Sequence, residues 1–222
     1  MYPPPDHMPS IKAFIQARMS SSRFPGKVLA PFKGEPLIRH VVRGVSEAIP
    51  LSDIVVTTSS EPSDDPVTTY LESLDVHVFR GPLNNVFDRF RQCVAAYPCD
   101  WILRISADSP LLDPEVLRQV IDAAGDGDCD LVSTIFPRTF PKGRNAELIR
   151  VATFLSVSVD ELSGEDHEHV TQCFYRNSED YRIRNVRSSG DLSGLSLAVD
   201  TLEDLRRIES FSVEELRGYE GS

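Results

Sequence analysis

The sequence has no apolar run that approaches the roughly 20 residues of a membrane-spanning helix. Its opening segment, MYPPPDHMPS, also lacks the charged and apolar regions of a secretory signal peptide. From these two absences we expect a cytoplasmic protein that has no membrane partner.

Closely paired cysteines and an excess of positive charge are absent too. The four cysteines show no Cys-x-x-Cys spacing, so neither a zinc site nor a disulfide framework is indicated, and reduced, mostly packed thiols are expected. The formal net charge of -11 argues against a nucleic-acid partner, because such binding depends on Lys and Arg that neutralise phosphates. A small anion in a local pocket is still compatible with this charge.

Against this acidic background, residues 11–34 contain basic residues and no acid: Lys12, Arg18, Arg23, Lys27 and Lys33. An apolar run leads into QARMSSSRFPGK and an amphipathic pattern follows, which predicts a strand, a small-residue loop and a helix. Pro25-Gly26 constrains the turn before Lys27, which favours a built site over a solvated basic loop. Backbone N–H groups and fixed cations on such a loop are suited to a polyphosphate.

Two familiar phosphate motifs are missing from this loop. A Walker loop needs a Gly five residues before its Gly-Lys pair and then Ser or Thr, but Ser21 and Val28 stand at those positions. The dinucleotide fingerprint needs three spaced glycines, and the loop contains only Gly26.

Helical and strand-like patterns alternate through the next hundred residues. Helices are predicted over 36–48, 67–74, 84–96 and 114–124, and strands over 53–57, 76–79, 101–106 and 130–134. This alternation predicts an α/β fold with a mostly parallel sheet covered by helices. We expect one domain over 11–215 that follows a disordered extension at 1–10 and has a mobile end.

Prolines and Gly143 interrupt the rhythm beyond Phe136, so an excursion over the carboxyl edge of the sheet is predicted at about 136–180. Within and after it we expect helices near 151–160 and 167–175, strands at 181–186 and 195–199, and a helix at 202–211.

Two acids follow predicted strands, where open parallel sheets bind their ligands: Asp108 and Asp200. Each alone is typical of a helix cap or turn. Beside a basic loop of triphosphate size they become candidate Mg²⁺ ligands, because Mg²⁺ prefers one or two carboxylates with phosphate oxygens and water. Asp113 and Asp204 are interpreted as acids at helix starts.

The histidines do not form a metal motif. His167 and His169 flank Glu168, and residues two apart on a helix face different directions, so a substrate contact is favoured over a transition-metal site. His7, His40 and His77 are predicted to be structural or disordered.

Seven segments in order, across about residues 11–210, closely resemble cytidylyltransferases that activate acidic sugars, especially the branch named for the spore-coat polysaccharide protein SpsF. They are QARMSSSRFPGKVL, DDP (64–66), VFRGPLNNVFDRF (78–90), RISADSPLLDPE (104–115), RTFPKG (138–143), DHEHVT (166–171) and LAVDTLEDL (197–205). The resemblance implies a nucleotide-diphosphosugar-transferase-like fold and transfer of CMP from CTP to an acidic acceptor, a sugar acid or phosphonate, with Mg²⁺ and release of pyrophosphate. It also implies a homodimer formed through the excursion.

The resemblance assigns roles by position. The nucleotide would contact Gln16, Ala17, Arg18, Ser22, Arg23, Lys27, Asp65, Arg80 and Gly81. Catalysis would depend on Arg18, Lys27 and Asp108, and Mg²⁺ would bind Asp108 and Asp200. The acceptor would face Arg138, Lys142, Asn145, Glu147 and His169. Two alternatives stay open: a glycosyltransferase of polysaccharide biosynthesis that uses a nucleotide sugar, and a nucleotide-binding protein without turnover.

The chain departs from the family pattern at two places. Ala107 replaces the usual Gly before Asp108, which keeps the predicted metal ligand but stiffens the backbone beside it. The usual Pro-Asp-Gly-Leu-Asp-x-Glu is PKGRNAE here, with Lys142 for Asp, Arg144 for Leu and Asn145 for Asp. From the lost acids and gained cations we infer a more anionic acceptor, with a surface adjustment as the alternative.

Overall fold

Nine strands are present in the computed structural model, which describes residues 9–125 and 127–211. In chain order they are β1 (Ile11–Gln16), β2 (Pro31–Phe32), β3 (Glu35–Pro36), β4 (Ile54–Ser59), β5 (His77–Gly81), β6 (Trp101–Ser106), β7 (Leu131–Ser133), β8 (Glu147–Arg150) and β9 (Ile183–Asn185). The second and third form a small antiparallel hairpin after the basic loop.

The other seven strands form one sheet in the order β5-β4-β1-β6-β8-β7-β9. Every neighbouring pair is parallel except those that include β8, which runs antiparallel to both β6 and β7. The carboxyl ends of β1, β4, β5 and β6 therefore meet at one edge, where parallel sheets bind ligands. The predicted mostly parallel α/β fold is confirmed.

Helices cover both faces of this sheet. They are α1 (Leu37–Ser46), α2 (Asp65–Glu72), α3 (Val86–Ala96), α4 (Pro114–Asp122), α5 (Val151–Ser156), α6 (Gly164–Glu168), α7 (Gln172–Arg176) and α8 (Leu202–Glu209). One apolar core joins the sheet to α1, α2, α4 and α8, and a second joins it to α3, α5 and α7.

Strand alternation decides which core each residue enters. In β1, Ile15 packs in the first core and Phe14 in the second, because successive side chains point to opposite faces. Helices lie on both faces of β4, so all six of its residues are buried, as is usual for a parallel strand.

Side-chain caps fix where several helices begin. Asp113 lies just before Pro114 at the start of α4, and its side chain accepts a hydrogen bond from the backbone N–H of Glu115. At the start of α8, Thr201 forms a reciprocal capping box with Asp204. Both acids predicted to lie at helix starts are confirmed there.

The buried carboxylate of Asp166 holds α6 in place. It accepts hydrogen bonds from Ser163 and from the Arg176 guanidinium, whose nitrogen lies 2.7 Å away. Burial acts to raise the pKa of Asp166, but the hydrogen bonds from Arg176 and Ser163 outweigh it and lower the pKa to about 2.

The excursion differs most from the sequence predictions. The predicted helix at 167–175 is two short helices, because α6 ends at Glu168 and α7 starts at Gln172. The helix predicted at 151–160 ends at Ser156. Strand β8 was missed, because the prolines and Gly143 nearby indicated irregular structure.

The predicted strand at 195–199 is also wrong. This segment is not a strand of the sheet; it is tied to the excursion by a single bridge between Lys142 and Ser196.

The amino-terminal prediction needs a smaller correction. Ser10 is not free, because its backbone N–H donates to the Asp100 carboxylate at 2.7 Å and its carbonyl accepts from Trp101 at 3.0 Å. Residues 1–8, including His7, and residues 212–222, which include the predicted end of the domain and the predicted mobile end, lie outside the described residues.

Two further predictions concern the cysteines and membrane-spanning helices. All four cysteines are free thiols, of which Cys93, Cys129 and Cys173 are buried, as expected for packed thiols. Within 9–125 and 127–211, none of the helices combines the length and apolar character that crossing a membrane requires.

Candidate active site

A cavity of about 540 Å³ opens beside the carboxyl ends of β1 and β6. Most residues predicted for the site line it: Gln16, Ala17, Arg18, Ser22, Arg23, Lys27, Asp108, Arg138, Lys142, Asn145, Glu147, His169 and Asp200. The basic loop forms one wall, and the excursion forms the facing wall.

Lys27 joins the two predicted metal ligands. Its Nζ lies 3.3 Å from an oxygen of Asp108, 3.3 Å from an oxygen of Asp200, and donates to the carbonyl of Val199 at 2.7 Å. Gly26, in the left-handed region at φ 76°, supplies the turn that starts the helical turn Lys27–Leu29. Two carboxylates from distant parts of the chain thus converge on a single cation.

Backbone hydrogen bonds hold the two carboxylates at adjacent positions. The N–H of Val199 donates to the carbonyl of Asp108 at 2.8 Å, so the segment before Asp200 runs beside the end of β6. The chain thereby brings together residues that are 92 positions apart, as the numbers of Asp108 and Asp200 show.

Three cations surround Asp200. Arg23 lies 3.0 Å and Lys27 3.3 Å from its Oδ1, and Lys142 donates to its Oδ2 at 2.5 Å. Burial acts to raise the pKa of Asp200, but the hydrogen bond from Lys142 and the charges of Lys27, Lys142 and Arg23 hold it below its ordinary value. This carboxylate is therefore ionised at neutral pH.

This arrangement fits a divalent cation with oxygen ligands. Carboxylate oxygens of Asp108 and Asp200 both lie 3.3 Å from one ammonium nitrogen, so both carboxylates face the same positive charge. Two carboxylates with open space beside a cationic wall suit Mg²⁺, which completes its shell with phosphate oxygens and water. In the described parts of the chain, no three His, Cys, Asp or Glu side chains are grouped for metal binding.

Arg18 reaches across the cavity to the excursion. Its guanidinium pairs with Glu168 of α6 through nitrogen–oxygen distances of 2.6 and 3.3 Å, and each side chain is one-third exposed. Arg18, Arg23 and Lys27 each have a carboxylate partner in this structure. The oxygens of a bound triphosphate would replace these carboxylates as partners of the three cations.

A second polar group lies under the excursion. Glu147 is buried and accepts hydrogen bonds from Arg104 and from the Tyr175 hydroxyl, which also contacts Ser133 at 2.7 Å. Burial and the adjacent Glu147 carboxylate raise the pKa of Tyr175 well above its ordinary value, so the phenol keeps its proton. Arg104 also donates to Gln16 at 3.2 Å, which connects this group to the loop after β1.

Arg138 is the half-buried cation of this part of the cavity. It donates to the side-chain oxygen of Asn145, and burial lowers its pKa from the ordinary value without discharging the guanidinium. Its hydrogen-bond partner Asn145 is neutral, and the other charge that acts on it is that of Glu147, which accepts hydrogen bonds from Arg104 and Tyr175.

Three residues predicted to contact the nucleotide do not line the cavity: Asp65, Arg80 and Gly81. Arg80 pairs with Asp65 at 2.7 Å and donates to the carbonyl of Ser59 at 3.0 Å, where β4 and β5 end. The neighbouring Asp64 is fully buried and accepts the N–H of Met19 at 2.7 Å, which fixes the basic loop.

Arg144 does not contribute to the acceptor charge that the sequence suggested. Its side chain is 4% exposed and pairs with Asp113 at 3.2 Å, away from the cavity. Of the two gained cations, only Lys142 reaches the cavity, so the inference from their number needs this correction.

The histidines fall into different environments. His169 lines the cavity, while His167 does not. His40 contacts the Phe32 carbonyl at 2.7 Å, and burial lowers its pKa, which fits the predicted structural role. His77 is exposed on β5, with its ring 5.6 Å from that of Tyr97.

Sequence reasoning missed several residues that line the cavity, notably Arg104, Gln172 and Tyr175. Arg104 had a usable signal, because a cation inside the apolar strand WILRIS is unusual in a parallel sheet. Tyr175 and Gln172 had none, since they depend on the break between α6 and α7.

These features define an α/β protein with a cavity that has cations on one wall and two convergent carboxylates beside them. The chain belongs to the cytidylyltransferase family, whose model matches residues 13–210. The predictions of this family and of a cytidylyltransferase enzyme are thus confirmed.

Individual proteins agree with this assignment. The chain is 29% identical over 210 residues to the spore coat polysaccharide biosynthesis protein SpsF of Bacillus subtilis, covering 91% of this chain and 86% of the relative. A cytidylyltransferase structure from Leptospira borgpetersenii matches with a TM-score of 0.87 at 27% identity, covering 94% and 90% of the two chains. A CMP:2-keto-3-deoxy-manno-octonic acid synthetase complexed with CTP shares the fold, with a TM-score of 0.68 at 16% identity and coverage of 90% and 97%.

Proposed function

We propose that this cytidylyltransferase binds CTP with Mg²⁺ in the cavity and transfers CMP to an acidic acceptor, a sugar acid or a phosphonate, with release of pyrophosphate. The convergence of Asp108 and Asp200 on Lys27 supports the proposal, because it brings two carboxylates suited to a metal ion next to a cation suited to a phosphate. The shared fold of a synthetase that is complexed with CTP supports the choice of nucleotide.

The basic loop binds the triphosphate in this proposal. Arg18, Arg23 and Lys27 turn from their acidic partners to phosphate oxygens and stabilise the charge that builds on pyrophosphate as it leaves. Gln16, Ala17 and Ser22 complete the wall beside them.

Asp108 and Asp200 hold the divalent cation, which supplies Lewis-acid activation of the α-phosphate when bound. The two side chains are 21% and 14% exposed, so they are partly shielded from water that would weaken their charge. Asp65, Arg80 and Gly81 stay in the proposal as residues near the base or ribose, at the adjoining ends of α2 and β5.

The excursion binds the acceptor. Arg138 provides the charge for its acidic group, and Asn145, His169 and Glu147 surround the remaining space, with Lys142 between this half and Asp200. Both Glu147 oxygens are engaged by Arg104 and Tyr175, so Glu147 orients Arg104. An oxygen of the acceptor attacks the α-phosphorus in line as the bond to pyrophosphate breaks; a sugar hydroxyl gives up its proton to water, whereas an ionised phosphonate has no proton to lose.

Pyrophosphate release from CTP tests the proposal, with 2-keto sugar acids and phosphonates offered separately as acceptors. Asp108→Asn should lower turnover by about a thousandfold or more with the fold intact. The substitution removes a negative charge that holds the divalent cation, and this cation stabilises the charge that develops on the phosphates during the reaction. Asp53→Asn is the matched control, since Asp53 pairs with Lys12 away from the cavity.

Near-normal pyrophosphate release by the Asp108→Asn enzyme would refute the role of this carboxylate. Consumption of a sugar nucleotide without any pyrophosphate from CTP would instead support a glycosyltransferase. Stabilisation by CTP without product from any acceptor would support a binding protein.

The proposal includes a homodimer formed through the excursion. Leu155 and Val159 lie there with 41% and 45% of their surfaces exposed, and a second copy could cover them. Sedimentation equilibrium of the wild type and of Leu155→Asp tests this point: dimer dissociation in the variant is expected.

A further inference from the structure

Lys142 occupies an unusual position beside the proposed metal site. Its ammonium nitrogen lies 2.5 Å from Oδ2 of Asp200, whereas Lys27 and Arg23 approach Oδ1 of the same carboxylate. Asp108 faces the Oδ1 side, through Lys27. A divalent cation shared by Asp108 and Asp200 would therefore meet Oδ1 and leave Oδ2 with Lys142.

The backbone builds Lys142 into this place. Its N–H donates to the carbonyl of Leu195 at 2.9 Å, and its carbonyl accepts the N–H of Leu197 at 2.6 Å. The next residue, Gly143, has φ 98°, and a Cβ there would lie 2.6 Å from the backbone nitrogen of Ala198. The segment that carries Lys142 is thus locked against the segment that ends in Asp200.

We propose that Lys142 is a resident counter-ion of Asp200, which leaves one carboxylate oxygen for a divalent cation and weakens metal binding until the triphosphate arrives. The ammonium prevents Asp200 from binding the ion through both carboxylate oxygens, and it adds positive charge beside the incoming ion. A metal ion that enters with CTP avoids this cost, because the phosphates compensate the extra charge. The inference rests on the proposed metal site.

Binding of Mn²⁺ alone, followed by the electron paramagnetic resonance signal of the free ion, tests the proposal without any turnover. Lys142→Met should bind Mn²⁺ about tenfold more tightly than the wild type, because one oxygen is freed and one positive charge is removed. Lys142→Arg should behave as the wild type, since it keeps the charge beside Oδ2. Lys12→Met, which removes a lysine paired with the distant Asp53, should leave Mn²⁺ affinity unchanged.

A double-mutant cycle with Asp200→Asn shows whether the effect acts through this carboxylate. In the Asp200→Asn background, Lys142→Met should no longer tighten Mn²⁺ binding. Equal tightening in both backgrounds would overturn the proposal, and so would an unchanged affinity in the single variant. Lys142 is half exposed, so its truncation should leave the fold intact, which a thermal melt verifies.

The same measurements separate this inference from the proposed function. If Asp108→Asn and Asp200→Asn both weaken Mn²⁺ binding while Lys142→Met changes nothing, the metal site stands and only the role of Lys142 fails. If neither aspartate variant alters Mn²⁺ binding, the metal site itself is wrong.

Discussion

Replacing Lys27 by Met should expose the electrostatic balance on which the site depends. The lysine is 12% exposed and lies between carboxylates that are 21% and 14% exposed. Met keeps most of the apolar stem and removes the ammonium. What remains is a pair of neighbouring carboxylates, Asp108 and Asp200, without the cation that separates them.

The cost follows from the distances. Each carboxylate oxygen is 3.3 Å from Lys27 Nζ, so the two oxygens are at most twice that distance apart. Two unit charges at such a separation repel by about 2.5 kcal/mol at an effective dielectric constant of about 20. Arg23 and Lys142 still neutralise part of Asp200, which reduces the expected loss of stability to about 1 kcal/mol, or about 2 to 4 °C in Tm.

Thermal unfolding with and without Mg²⁺ is the assay. A divalent cation replaces the lost ammonium between the carboxylates, so Mg²⁺ should raise the Tm of Lys27→Met more than that of the wild type. Lys12→Met breaks a comparable ion pair of 2.8 Å with Asp53 and should show no such gain. The reasoning is refuted if Mg²⁺ shifts the Tm of all three proteins equally.

Three further predictions concern single side chains. Asn145→Asp should pair with Arg138 and raise the KM for an anionic acceptor about five- to tenfold, with the KM for CTP unchanged in steady-state kinetics. Glu168→Gln removes the carboxylate that competes for Arg18, so the KM for CTP should fall about two- to fivefold without a rise in kcat. A higher KM for CTP would contradict the idea that Arg18 leaves Glu168 to bind the triphosphate. The lowered pKa of Asp166, about 2, means that its ion pair stabilises the fold above its ordinary pKa and is lost as pH falls towards 2. In urea unfolding, the stability difference between wild type and Asp166→Asn should therefore be constant above about pH 5 and shrink between pH 4 and 2.

The basic wall of the cavity and Asp108 could be predicted because these residues follow strands with strong local patterns. Arg18, Arg23 and Lys27 come directly after β1, and Asp108 follows β6. The carboxyl ends of parallel strands meet at one edge, so sequence order alone brings these side chains together. Asp200 follows no strand of the sheet, yet it reaches the same place through the hydrogen bond between Val199 and Asp108.

The wall of the cavity that the excursion forms depends on contacts that no local pattern encodes. Strand β8 lies within a segment rich in turn formers and reads as irregular, although it pairs with two neighbours inside the sheet. Its first residue, Glu147, meets Arg104 across the β6–β8 ladder, and Tyr175 joins them only because the helix breaks after α6. Tertiary pairing overrides local propensity here.

The corrected place of Arg144 changes how the altered 141–147 segment is understood. Arg144 forms an ion pair with Asp113 outside the cavity, so its charge does not attract an acceptor. Lys142 faces Asp200, which places the second gained cation beside the proposed metal site. The one change that acts directly on the acceptor half is Asn145, since it gives Arg138 a neutral partner where the usual family pattern has a carboxylate. The proposed preference for a more anionic acceptor therefore depends on one guanidinium whose hydrogen-bond partner is neutral, because a charge already paired with a carboxylate gains little from an incoming anion.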